Sequence, residues 1–123
     1  MARIPGDPRA LHPAAAQTYE YLRDNVLRTG IVDRELKELC FRYVDQDESV
    51  IDRERFGGRE RVALDWTHAI VWDADAATDE LWQRLHDQFS EPELVELGCS
   101  IGFAMGQQHW ERTLGFAPHA GLS

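Results

Sequence analysis

Phe89-Ser90-Glu91-Pro92-Glu93-Leu94-Val95-Glu96-Leu97 is the stretch that decides the fold. Ser90 and Glu93 stand at capping-box spacing, in which the serine oxygen accepts from the N3 amide and the glutamate reaches back to the cap amide. Pro92 suits the first turn, where a missing N–H costs nothing. Apolar residues continue to about Leu114, and Gly115 suits the position just past a helix end. One long helix is therefore predicted from Ser90 to about Leu114. Inside it Gly98, Gly102 and Gly106 recur every four residues. Each costs about 1 kcal/mol against alanine in a helix interior. Three on one side predict the close approach of another backbone, or room for a flat ligand.

Working back toward the N-terminus, Thr78 caps a fourth helix carrying Leu81, Trp82, Leu85 and Phe89. A third runs from about Arg59 to Trp72. Val62, Leu64, Trp66, Ala69, Ile70 and Val71 make it apolar on more than one face, as in a central or interfacial helix. A second begins after the N-cap Asp33, with Leu36, Leu39, Cys40, Tyr43 and Val44 at steps of three and four. It dissolves into the acidic run Asp45-Gln46-Asp47-Glu48, and the chain is polar and irregular to Gly57-Gly58. A first helix spans about Pro13 to Thr29, with Gly30 beyond its end. Residues 1–12, rich in Pro, Gly and Arg, read as an extended arm. Residues 13–116 read as one helical domain and 117–123 as a tail. No segment alternates as a strand does, so the fold class is all-α with five main helices.

The 123 residues suit one domain, and 43% are hydrophobic, enough for a core. A net charge of -9 argues against nucleic acid, which requires a basic face, and against an anionic membrane surface. The start has no apolar run of a signal peptide, and Leu97 to Trp110 is too short and too polar to span a bilayer. A cytoplasmic location is the default expectation. Cys40 and Cys99 lie in apolar helical patterns, so both are expected as buried free thiols.

The order of these motifs resembles the carboxymuconolactone-decarboxylase family, whose members include the AhpD-type alkylhydroperoxide reductases. Phe89 to Leu97 is similar to the family's Phe-Ser-Glu-x-Glu-Leu-Val-Glu-Leu. Arg59-Glu60-Arg61-Val62-Ala63-Leu64-Asp65-Trp66-Thr67-His68-Ala69 is similar to its Glu-Arg-x-Ala-Leu-x-x-Ala helix. Gly30 to Leu39 is similar to its entry motif. The likeness covers roughly residues 17–116. It implies an AhpD-like bundle of five to six helices, a homo-oligomer, commonly a trimer or hexamer, and cofactor-free chemistry on lactone acids. Redox members carry Cys-x-x-Cys about a dozen residues after a glutamate that Glu38 matches. Here Val50 and Arg53 stand at those places, and the segment is shorter, as if the thiol helix were deleted. Peroxide reduction needs a low-pKa thiolate and a resolving partner, so thiol peroxidase activity is not expected.

Candidate catalytic residues are His68, Glu38, His109 and Asp65. Asp65 and His68, three apart, face the same way on one helix. A carboxylate beside an imidazole raises its basicity and fixes its orientation. The pair reads equally as a helix-surface ion pair or as a buried, satisfied histidine. Glu38 matches a family proton-relay position and otherwise reads as solvated. His109 follows Gln107-Gln108 in a polar cluster that suggests a pocket or a subunit contact. Trp66, Trp72 and Met105 are candidate substrate-binding residues, aromatic walls for a planar substrate. His86, His12 and His119 read as exposed. The spacings of a metal site are missing, so neither metal nor cofactor is expected. The leading expectation is an enzyme that moves a proton in a decarboxylation, isomerisation or elimination on a small carbonyl or lactone acid. The alternative is a non-catalytic oligomer that kept the fold, lost the redox centre and binds a small molecule or a protein.

Overall fold

The computed structural model describes residues 3, 4 and 6–116. The expected tail, 117–123, lies outside the described residues. Among those described there are five α-helices and no strand: α1 (Pro13–Leu22), α2 (Arg34–Val44), α3 (Gly58–Trp72), α4 (Asp79–Gln88) and α5 (Glu91–Thr113). α1 continues through a wider π turn, Arg23–Leu27, and three-residue-period turns occupy Pro8–Leu11, Arg53–Arg55 and Ala74–Ala76. No helix among the described residues is long and apolar enough to cross a membrane.

The expected caps form. Asp33 accepts from the amide of Leu36 at 3.2 Å, and Thr78 from that of Leu81 at 3.2 Å. Ser90 accepts from the amide of Glu93 at 3.3 Å, while Glu93 accepts from the amide of Ser90 at 2.8 Å, closing the box. That bond, and then Arg59, hold the Glu93 carboxyl below its ordinary range. Arg59 also donates to the carbonyl of Gln88 and lies over the Phe89 ring, which clamps the start of α3 to the α4–α5 corner.

α3 packs between α2, α4 and α5. Leu64 from α3, Leu85 from α4, and Leu97 and Ile101 from α5 are fully buried in the main core. Each contributes about 1.5–3 kcal/mol of apolar burial. The acidic run after α2 is only partly solvated. Asp45 is buried, and Gln108 of α5 donates to its carboxylate and to the carbonyl of Val44. Within residues 1–12, Pro8–Leu11 forms a helical turn, and Arg9 is buried against α5.

Gly98, Gly102 and Gly106 differ in what they meet. A Cβ at Gly98 would lie 2.9 Å from the ring of Trp66, whereas nothing lies within 4 Å at Gly102 or Gly106. The close neighbour is thus an indole ring rather than a backbone, and at one position of the three. Gly102→Ala and Gly106→Ala are each expected to raise stability by about 0.5–1 kcal/mol through helix propensity. Gly98→Ala is expected to lower it by about 1 kcal/mol, because the ring must shift. Urea unfolding followed by circular dichroism checks the difference in sign.

Candidate functional site

Arg61, Asp65, His68 and Trp72 follow one another along α3 at steps of four, three and four, so a single helix face carries all four. α2 lies against that face and brings Tyr43 to it. Tyr43 Oη and His68 Nδ1 are hydrogen-bonded at 2.9 Å. Trp72 completes the cluster, its ring 5.5 Å from Tyr43 and 5.6 Å from His68 between centroids. The phenol occupies Nδ1 and thereby sets the state of Nε2. When Nδ1 donates to Tyr43, Nε2 is a bare base. When Tyr43 donates to Nδ1, Nε2 carries the proton and is an acid. Burial pushes the Tyr43 phenol above its ordinary value, and the Arg53 guanidinium beside it opposes that rise.

Asp65 shares the face with His68 but makes no hydrogen bond or ion pair with it. Its carboxylate is taken by three arginines. Arg53 Nη1 and Arg61 Nε approach Oδ1 at 3.1 and 3.0 Å, and Arg84 Nη2 approaches Oδ2 at 2.9 Å. The expected carboxylate–imidazole pair is replaced by a phenol–imidazole pair, because three guanidiniums already occupy the carboxylate with charge-assisted bonds.

The other expected residues lie elsewhere. Glu38 is exposed and pairs with Arg34 at 2.7 Å, a surface i,i+4 pair worth about 0.3–0.5 kcal/mol. The cluster Gln107-Gln108-His109 divides three ways: Gln107 accepts from Arg9, Gln108 turns inward to α2, and His109 is exposed. No hydrogen bond, ion pair or ring contact joins His109 to His68. Trp66 points away from His68 and packs on Trp82 and Gly98, and Met105 packs against the main core. Among the described residues no group of three His, Cys, Asp or Glu side chains stands close enough to hold a metal ion. Cys40 is buried as expected, and burial pushes its thiol up to about 12. Cys99, expected to be buried, is exposed, because its position falls on the solvent side of α5.

A separate groove of about 440 Å³ runs between the turn at Pro8–Leu11, α1 and α5, with Tyr19, Phe103 and Trp110 as aromatic walls and Arg9 and Gln107 as polar groups. Its volume is that of a small-molecule site. A smaller cavity of about 130 Å³ lies between Trp66 and the start of α4. His68 and His109 line neither.

Tyr43, Arg53, Arg61 and Arg84 are site residues that the sequence reading does not single out. Tyr43 reads as one more apolar step of α2. Only the four-residue spacing of Arg61 and Asp65 carries a signal. No known family, curated protein or solved structure matches the chain.

Proposed function

We propose that the chain is a cofactor-free enzyme that moves a proton on a small carbonyl or lactone acid, as its resemblance to the carboxymuconolactone decarboxylases implies. The observation that carries this reading is the Tyr43–His68 hydrogen bond at 2.9 Å beside the Trp72 ring. It fixes one ring nitrogen and leaves Nε2 for the substrate. In a decarboxylation the C–C bond breaks, carbon dioxide leaves, and the electron pair remaining on carbon takes the proton from Nε2–H. Water then restores that proton. Isomerisation uses the same nitrogen first as base and then as acid. The chain works as a homo-oligomer, a trimer or hexamer. Support comes from the family likeness and from apolar side chains left exposed, Tyr21, Ile31 and Val95 among them. Glu38 and His109, both exposed, act on a substrate only if a second copy brings them there. Sedimentation gives the stoichiometry.

The test is turnover of a panel of lactone and β-keto acids. His68→Ala is expected to lower kcat about 100-fold or more, and Tyr43→Phe to lower it less while shifting the pH profile. Unchanged turnover in His68→Ala would sink the assignment. The groove beside Arg9 favours a second reading, a member of the family that binds an apolar ligand without reaction. A panel-inactive protein that binds a naphthyl dye competitively with aromatic ligands would support it.

A further inference from the structure

We propose that Arg53, Arg61 and Arg84 form a binding site for a dianionic oxyanion, either a phosphate group or a dicarboxylate. The three guanidiniums come from three elements: the turn at Arg53–Arg55, α3 and α4. All converge on Asp65, whose side chain is 12% exposed, while the arginines are 30%, 33% and 43% exposed. Asp65 is thus the floor and the arginines are the rim.

Arg53, Arg61 and Arg84 all pair with this one carboxylate. Three guanidiniums against one carboxylate leave two positive charges together. The chain has 22 acidic residues and only 13 Lys and Arg, so its electrostatics favour spreading arginines among many carboxylates. Gathering three on one carboxylate opposes their mutual repulsion. A second anion relieves it, and a dianion matches the excess charge.

The donors also fit. A guanidinium offers a planar fork of N–H groups suited to carboxylate and phosphate oxygens. Each of the three spends one nitrogen on Asp65. That leaves several N–H groups on each fork beyond the one bonded to Asp65, with the Tyr43 hydroxyl near Arg53. The three forks are partly exposed around a largely buried floor, where water is partly excluded and charge-assisted bonds are stronger than at a free surface. The site stands on the arginines and does not depend on proton transfer at His68.

The test is isothermal titration of the full chain at constant ionic strength, with inorganic phosphate, malonate and acetate as separate probes. At least one dianion is expected to bind about tenfold more tightly than acetate. Phosphate alone identifies a phosphate-type ligand and malonate alone a dicarboxylate. Arg84→Gln, the most exposed of the three, is expected to weaken binding about tenfold, whereas Arg34→Gln, an arginine paired elsewhere, leaves it unchanged. Asp65→Asn removes the competing charge and is expected to tighten binding. A purely structural network has no such gain. Binding of neither dianion, equal loss in Arg34→Gln, or weaker binding in a folded Asp65→Asn would overturn the proposal. His68→Ala leaves the titration unchanged, so failure here and failure of the proton-transfer reading are distinguishable.

Discussion

Lys37→Met is expected to cost about 3–5 kcal/mol of folding stability, the range for breaking one side of a buried charged pair. Lys37 is fully buried on α2. Its Nζ donates to the carbonyl of Val26 at 2.5 Å and to that of Thr29 at 2.6 Å, and it lies 3.3 Å from Glu96 Oε2. The carbonyls lie in and just beyond the π turn that ends the first helix, where intrahelical donors run out. One ammonium therefore satisfies a helix terminus and neutralises a carboxylate of α5. Methionine fills most of the volume but supplies no donor, leaving two carbonyls and Glu96 without this partner. Glu96 still accepts from the amides of Ile31 and Val32. The double variant Lys37→Met with Glu96→Gln should recover part of the loss, since it removes the unpaired charge, although the single amide oxygen keeps only one of those two bonds. Urea unfolding of the two single variants and the double variant gives the coupling. A single-variant loss below about 1 kcal/mol would show that water replaces the ammonium.

Arg9→Ala is expected to cost about 3 kcal/mol. The Arg9 side chain is 6% exposed and pairs with Glu111, itself 5% exposed. Its Nε donates to Gln107 at 2.9 Å, and its guanidinium lies 4.2 Å from the Tyr19 ring centroid and 5.2 Å from that of Trp110. Alanine removes the stacking and leaves the Glu111 carboxylate buried without a cation. Glu111→Gln is expected to cost less, because an amide oxygen still accepts from the guanidinium. The turn at Pro8–Leu11 is held to α5 through this side chain, so Arg9→Ala should also speed proteolytic cleavage before α1. The amide of Arg3 donates to the carbonyl of Leu114 at 2.6 Å, a second tie that limits how far the segment can swing.

The helices are legible in the sequence because their signals are local. Asp33, Thr78 and Ser90 each mark a start through a bond to an amide three residues on, and apolar steps of three and four mark the body of each helix. The site is only half legible. Asp65 and His68 do share a face, but which partner each chooses depends on Tyr43 from α2, Arg53 from a turn and Arg84 from α4, and nothing in local spacing encodes that choice. Lys37 does carry a local signal. It shares a helical line with Phe41 and Val44, both buried, so its charge sits in an apolar stripe. Arg9 offers no comparable signal, since Glu111 lies 102 residues away. The three glycines of α5 read as one feature because they recur regularly, yet only Gly98 faces a neighbour.

Gly30 adopts a φ of +112°, and a Cβ built there would fall 1.9 Å from the carboxylate of Glu96. The carboxylate that excludes every side chain at position 30 is the same one that Lys37 neutralises. In evolutionary terms Lys37 and Glu96 form one inherited character. A lineage that loses Glu96 has no further use for a buried Lys37, so those two columns of an alignment should change together or not at all, while the positive φ holds glycine at position 30 in either case. Lys37 and Glu96 stand 59 residues apart. A paired change at that separation is a mark by which remote kin of this chain can be recognised after overall identity has faded.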